Sequence, residues 1–346
     1  MTARRNDHDV TNTVCVADPK SVCAAVCGIL ARRYADIDLA PVRRGFDTFS
    51  RLFTGRLAGY AGCDTWYHDA QHSLDCTLAL ARLVDGHERS EPSSQQLGAR
   101  RAVLGVLVAL FHDAGYIRRS GDEAINGAEF TFTHVGRSGD FLAQFLPQVG
   151  FAKEATLARR LAHFTGYEIA LDQIAVRNRR DRMLGFMLGT ADVMAQVSDR
   201  CYLEKCRDYL YREFTWCGLA GQHAAAPQYE SAEDLLRKTP EFHRHLCADR
   251  LDGYFEGVYR YAAAHFQTAP PQPDPYSSAM DAQLRRLRDA MDAGDLGRLR
   301  RRPRVEGAQA LRRRLGWTAV RTTAGASPAS APLRREPGIP AGFQPG

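Results

Sequence analysis

The sequence has no long hydrophobic run and no cysteine spacing typical of a disulfide framework. Its longest apolar stretch, Ala102 to Phe111, is interrupted by Gly105 and is about half as long as a membrane-spanning helix. The nine cysteines are an odd number without a Cys-x-x-Cys pair, and the first residues are polar, unlike a signal peptide. We therefore expect a cytoplasmic protein with reduced thiols and no transmembrane segment.

The sequence also lacks a strong charge of one sign over most of its length. Residues 1–270 hold 32 basic and 33 acidic residues, a net charge of −1, whereas the remainder holds 14 basic and 7 acidic residues, a net charge of +7, so that the whole chain carries +6. A fold built to bind nucleic acid would carry its basic excess on the main body. The charge distribution therefore argues against DNA or RNA binding by residues 1–270.

Signals for strands and repeats are almost absent. Alternation of polar and apolar residues is confined to Glu129–Thr133, and there is no internal repeat. Apolar residues instead recur at helical spacing in residues 21–34, 70–85, 98–116, 135–147, 153–165, 181–198, 202–214 and 245–266. The pattern predicts an all-α fold in which the loop 117–133 could form a small lid or hairpin.

The composition changes near Pro270. Ten of the sixteen prolines lie from that residue onward, followed by leucines at helical spacing among arginines in 280–299. These features predict an N-terminal helical segment (1–44), a main domain (45–269), and a C-terminal extension (270–346) made of a Pro-rich linker, a basic helix and a flexible, disordered tail. The arginine clusters at 300–304 and 312–314 could bind an acidic partner, RNA or an anionic membrane, or could simply be solvated.

Histidines and carboxylates stand at metal-ligand spacing in three places. His68 and His72 lie one helical turn apart, and Asp75 follows three residues later. The apolar run ends in the pair His112–Asp113, which supplies a neutral nitrogen and an anionic oxygen. Asp192 lies in an apolar helical stretch, where a buried carboxylate needs a partner. Together these residues predict a site for divalent cations.

This pattern resembles the motifs of the HD/PDEase superfamily of metal-dependent phosphohydrolases. Tyr67-His68-x-x-x-His72-x-x-Asp75, His112-Asp113 and Asp192 are similar to the Tyr-His-Asn-x-x-His-x-x-Asp, His-Asp and final Asp of cyclic-nucleotide phosphodiesterases. The segment 191–205 also resembles the closing helix of a bacterial branch of predicted HD hydrolases. The resemblance covers residues 45–266 and implies a PDEase-like helical bundle that hydrolyses a phosphodiester or phosphomonoester.

The resemblance also implies roles for the motif residues. His72, His112, Asp113 and Asp192 would bind metal, and Asp113 would share in catalysis by bridging two divalent ions, whether Mn, Mg, Fe, Zn or Ni. His68 would be the general acid that protonates the leaving oxygen, because an alkoxide leaves poorly unless it is protonated as the bond breaks.

Further residues are candidates for supporting roles. His134 and His163 fall where two-metal branches of the superfamily have two more histidine ligands, although each could instead be a capping or core residue. Asp75 resembles a carboxylate that orients the ligands, and Gln196 lies one turn after Asp192. Arg200 and Lys205 are candidates for holding the rest of the phosphate, or could lie on a solvated helix face.

Two positions depart from the phosphodiesterase pattern. Asp69 replaces the asparagine after the first histidine, and Tyr116 replaces a histidine four residues after His112. The expected substrate is therefore a small phosphorylated, nucleotide-like molecule whose identity stays open. Two other functions also stay open, namely a di-iron oxygenase with the same ligands and a non-catalytic sensor or interaction module.

Overall fold

The computed structural model describes residues 4–221, 224, 226–268 and 272–303, and every regular element in these residues is helical. The prediction of an all-α fold is confirmed for this part of the chain. No helix within it is long and apolar enough to cross a membrane. The predicted disordered tail, with the arginines at 304 and 312–314, lies outside the described residues.

The described residues form twelve α-helices. They are α1 (Pro19–Arg33), α2 (Ala40–Phe53), α3 (Ala70–Ser90), α4 (Ala99–Phe111), α5 (His134–Phe145), α6 (Ala155–Ala162), α7 (Arg179–Ser198), α8 (Tyr202–Lys205), α9 (Tyr211–Trp216), α10 (Ala232–His245), α11 (Tyr261–Phe266) and α12 (Pro275–Asp292). A π-helical turn, Cys206–Leu210, joins α8 to α9, and a longer π-helical stretch, Leu246–Tyr254, continues α10.

The central helix is α3. It is buried along nearly its whole length and packs against α1, α4, α7 and α11. Gly86 permits the close approach of α11, because a Cβ at this position would lie 1.8 Å from the backbone oxygen of Tyr261. The apolar residues of α4 and α7 complete the core on both sides of α3. This packing brings the start of α3, the end of α4 and the middle of α7 together.

Two helices were not predicted. The stripe of α2, which includes Phe46, Phe49 and Leu52, packs against α4, and α10 contains Pro240 among many charged residues. The loop 117–133 contains a 3-10 turn rather than a hairpin. Its backbone groups are satisfied locally by a capping box in which Asn126 and Glu129 bond each other's backbone.

The predicted basic helix is α12, and it packs on the body. Tyr276 and Leu287 of α12 are fully buried, and the hydroxyl of Tyr276 accepts a hydrogen bond from Arg82 of α3 at 3.0 Å. Arg82 also lies 2.5 Å from the carboxylate of Asp9 in the N-terminal loop. Within the predicted C-terminal extension, α12 thus covers part of the body, because its apolar face packs against α7.

The N-terminal loop and the segment after α12 meet at the end of α7. The side chain of Asn6 donates to the backbone oxygen of Arg302 at 2.8 Å, and Arg4 donates to the backbone oxygen of Ser198 at 2.7 Å. The backbone nitrogen of Arg301 donates to Glu204 at 3.0 Å. Both ends of the described chain thus support the turn between α7 and α8.

Candidate metal centre

Four buried side chains from three helices converge on one point. His72 lies in the first turn of α3, His112 and Asp113 follow the last turn of α4, and Asp192 lies in the middle of α7. Each is at least nine-tenths buried. Asp69 caps α3 by accepting a hydrogen bond from the backbone nitrogen of His72 at 2.9 Å, so this departure from the phosphodiesterase pattern starts the helix.

The ligand atoms of this cluster are spaced as they would be around one cation. Nε2 of His72 is 3.0 Å from Oδ1 of Asp192, 3.3 Å from Nε2 of His112 and 3.4 Å from Oδ2 of Asp113. Nε2 of His112 is 3.2 Å from Oδ2 of Asp113 and 3.5 Å from Oδ1 of Asp192. For metal bonds of about 2.1 Å, neighbouring ligands lie roughly 3.0 Å apart in an octahedron and roughly 3.4 Å apart in a tetrahedron. The cluster therefore fits a divalent ion.

Hydrogen bonding prepares these groups for a metal. Nδ1 of His112 lies 2.8 Å from the backbone oxygen of Ala109 and donates to it, which leaves the Nε2 lone pair facing the cluster. Oδ2 of Asp113 is buried without a hydrogen-bond partner among the described residues. Because a buried carboxylate oxygen needs a cation or a donor, this oxygen indicates a metal ligand.

The two buried carboxylates of the cluster also favour binding of a cation. Burial lowers the pKa of His112, but the carboxylates of Asp113 and Asp192 outweigh burial and raise that pKa well above its usual value. The neighbouring imidazoles, conversely, hold the pKa of both carboxyl groups below their usual range despite burial. Two buried carboxylates thus hold a proton on an imidazole unless a metal ion supplies the positive charge.

His68 lies at the edge of the cluster and is held by a carboxylate that the sequence analysis missed. Nδ1 of His68 is 2.6 Å from Oε2 of Glu213 in α9. Oε1 of Glu213 accepts hydrogen bonds from the backbone nitrogens of Trp66 and Tyr67, both at 2.6 Å. Burial opposes a charge on His68, but Glu213 outweighs burial and raises the pKa of His68. The imidazole therefore holds a proton that it can donate.

Tyr116 lies between His68 and His134. Its ring stacks on both imidazoles, with centroids 4.3 Å apart in each pair. His134 is the first residue of α5, and its Nδ1 donates to the backbone oxygen of Thr131 at 2.7 Å. Nε2 of His134 lies 3.8 Å from Oδ1 of Asp113, and burial lowers the pKa of His134 to about 4. Asp113 thus has one oxygen toward the cluster and the other toward a neutral imidazole, as a bridging ligand would.

Gln196 contacts a residue of the cluster, whereas His163 contacts none of the four cluster residues in the described hydrogen bonds and ion pairs. Gln196 donates to Oδ1 of Asp192 at 2.9 Å and accepts from the hydroxyl of Tyr67 at 3.2 Å, so it orients a cluster ligand. His163 does not line the cavity beside the cluster, although the next residues, 165–167, do. Its Nδ1 lies 3.8 Å from the carboxylate of Glu168, which accepts hydrogen bonds from the start of α5. A role for His163 as a metal ligand stays a prediction.

The two basic residues predicted to bind phosphate, Lys205 and Arg200, have different surroundings. Lys205 is buried and pairs with Asp199 at 2.7 Å, beside Asp75 in a small polar cavity that adjoins the cluster. Burial raises the pKa of Asp75 to about 7, and one of its oxygens has no hydrogen-bond partner among the described residues. The guanidinium of Arg200 instead lies 3.4 Å from the side chain of Asn6. Phosphate binding by either basic residue stays a prediction.

Cys76 is a further residue near the cluster. Its thiol sulfur lies within 4.8 Å of ligand atoms of His112 and Asp192. Cys76 follows His72 by four residues, which is also the spacing between His68 and His72. This spacing could have indicated that Cys76 lies near the cluster.

Comparison with protein-family models, with curated proteins and with solved structures finds no match for this chain. The established features are the helical fold and a buried cluster of histidines and aspartates that could bind metal. Both are compatible with an HD-type fold.

Proposed function

We propose that the protein is a metal-dependent phosphohydrolase of the HD/PDEase type, acting on a phosphodiester or phosphomonoester of a small, nucleotide-like molecule. The observation that carries the proposal is the position of His68, which Glu213 keeps protonated, beside the cluster that contains His72. The two imidazole centroids are 6.3 Å apart. A buried metal-binding site alone is compatible with many functions. A general acid at the edge of that site favours cleavage of a bond to a poor leaving group.

The residues would divide the work of hydrolysis. Divalent ions bound at the cluster would activate a water molecule and neutralise phosphate oxygens. His68 would donate the proton of Nε2 to the leaving oxygen, while Glu213 holds Nδ1 and fixes the ring. Tyr116 restricts the tilt of the same ring by stacking, and Gln196 keeps Asp192 in place. Proton donation by a positioned imidazole contributes about 10²–10⁴-fold to such a reaction.

The proposal is tested by metal content together with hydrolysis. The protein is loaded with Mn²⁺, Fe²⁺ or Zn²⁺ in separate samples, and turnover of bis(4-nitrophenyl) phosphate and 4-nitrophenyl phosphate is measured. His112→Ala and Asp192→Asn each remove a proposed ligand. Asp208→Asn, at a partly exposed carboxylate paired with Arg207, is the matched control.

We expect close to two ions per chain and hydrolysis in the wild type and in the control, with both reduced in the ligand variants. A wild-type protein that retains no divalent metal would refute the proposal. Two tightly held irons, with oxygen consumption and without hydrolysis, would replace the phosphohydrolase with the di-iron oxygenase.

A further inference from the structure

A cavity of about 250 Å³ lies against the face of α7 opposite the metal centre. It is enclosed by Met194 of α7, residues 243–252 of α10 and its π-helical continuation, Tyr259, and residues 277–281 of α12. Met194 is two residues from Asp192, and a separation of two residues places side chains on roughly opposite faces of a helix. Protein interiors contain few voids larger than a water molecule, whereas this volume equals about eight waters at roughly 30 Å³ each.

The cavity has an apolar floor and an acidic mouth. Met194, Leu251 and Met280 are buried, whereas Asp281 is exposed and the side chain of Asp252 is 44% exposed. An apolar interior with a few polar groups at one end is the usual composition of a small-molecule site. The thioethers add adaptability, since unbranched methionine side chains fill irregular space around a ligand.

The two carboxylates at the mouth differ in their partners, because Asp252 is paired with a cation and Asp281 is not paired with any described residue. Asp252 pairs with Arg260 at 2.6 Å and accepts a hydrogen bond from Tyr259 at 3.0 Å. The side chain of Asp281 makes no hydrogen bond or ion pair with any described residue, and it interacts electrostatically with His243 and Cys247, which also line the cavity.

Neither His243 nor Cys247 offsets the charge of Asp281. Burial lowers the pKa of His243 and raises the pKa of Cys247 to about 11, so both are neutral at pH 7. The lining therefore keeps one uncompensated negative charge at an open end.

We propose that this cavity binds a small organic cation, namely a primary amine with an apolar body of about eight to ten non-hydrogen atoms in all. The ammonium group lies at the mouth against Asp281, and the hydroxyl oxygen of Ser277 accepts one of its hydrogen bonds. The hydrocarbon part lies against Met194 and Met280. Binding at this site does not depend on the proposed hydrolysis.

Isothermal titration calorimetry with three probes of similar shape tests the charge preference. The probes are 2-phenylethylamine, 2-phenylethanol and phenylacetate, which are cationic, neutral and anionic at pH 7. We expect the amine to bind at least about fivefold more tightly than the alcohol, because it adds a charge-assisted hydrogen bond, and phenylacetate to bind most weakly. Equal affinity for the amine and the alcohol, or no binding of the amine, would overturn the proposal.

Two pairs of variants locate the binding. Asp281→Asn should weaken amine binding about five- to tenfold, whereas Asp289→Asn, at an exposed position of the same helix, should leave it unchanged. Cys247→Phe should fill the cavity and abolish binding, whereas Cys247→Ala, which only enlarges the cavity, should retain it. An equal effect of the two aspartate variants, or full binding by a folded Cys247→Phe protein, would place the amine elsewhere and contradict the assignment.

Discussion

Replacing Glu213 by glutamine tests whether His68 acts as an acid. Glutamine keeps the size of the side chain and an oxygen for the backbone nitrogens of Trp66 and Tyr67, but it removes the charge 2.6 Å from Nδ1 of His68. The pKa of His68 is raised against burial mainly by this carboxylate, with smaller contributions from Asp113 and Asp192. Without the charge, the pKa of His68 should fall, so that the imidazole is less protonated at neutral pH.

The expected loss of rate depends on the leaving group. A positioned acid contributes about 10²–10⁴-fold, and a poor leaving group needs that contribution most. For a phenyl or alkyl phosphate ester we expect kcat/KM of Glu213→Gln to fall about 100-fold at pH 7.5. For an activated nitrophenyl ester, which leaves without protonation, we expect a decrease of only about threefold.

The assay compares pH profiles of kcat/KM for the two esters. Because the pKa of His68 falls in the variant, the basic limb of the profile should move to lower pH. Glu233→Gln, at an exposed carboxylate paired with Arg237, is the control and should behave as the wild type. Metal content and circular dichroism should be the same in all three proteins. An equal loss for both esters, or an unmoved basic limb, would refute the assignment of His68 as the acid.

Removal of the metal with a chelator should make the free energy of unfolding depend on pH, because the pKa of His112 is raised in the folded protein. The stabilisation that this raised pKa gives to the metal-free fold is complete below about pH 6.5 and is lost as the pH rises through the folded-state pKa. The melting temperature should therefore fall between pH 6 and pH 9 in the metal-free protein, and a flat profile would contradict this account. Asp9→Asn leaves the buried guanidinium of Arg82 without its carboxylate, so urea titration should show a free energy of unfolding lower by about 3 kcal/mol. A decrease of less than about 1 kcal/mol would contradict a stabilising role of this ion pair. Gly86→Ala should lower the melting temperature because its Cβ meets the backbone of α11 at 1.8 Å, whereas Gly28→Ala meets only the end of an arginine side chain at 3.4 Å and should be tolerated.

The four cluster residues could be predicted because each belongs to a local pattern. His72 follows His68 by four residues, the pair at 112–113 ends an apolar run, and Asp192 is a carboxylate in an apolar stretch. The structure nevertheless begins α3 at Ala70, so His68 lies just before the helix and not on it as expected. Glu213 could not be predicted in this way, because it reaches His68 across 145 residues. No spacing rule connects α9 with the start of α3, so only the packing of the helices brings the two side chains together.

The packing of the C-terminal helix on the body could not be predicted, for a different physical reason. Clustered prolines usually mark extended chain, but Pro275 is the first residue of α12, where its missing N–H removes no helical hydrogen bond. Asp274 caps the helix by accepting hydrogen bonds from the backbone nitrogens of residues 276 and 277 at 2.8 and 3.2 Å. Whether the arginine-rich segment then packs or stays in solvent depends on the face of α7 that it meets, which is a long-range property.

The contact between Asn6 and Arg302 joins positions 296 residues apart, so it affects the order in which the protein assembles. During synthesis this contact can form only after nearly the whole described chain has left the ribosome. Until then, the end of α7 lacks the hydrogen bonds from the segment after α12. Pairing across such long separations is slow compared with helix formation. The hydrogen bonds that support the turn between α7 and α8 would therefore be completed late in folding.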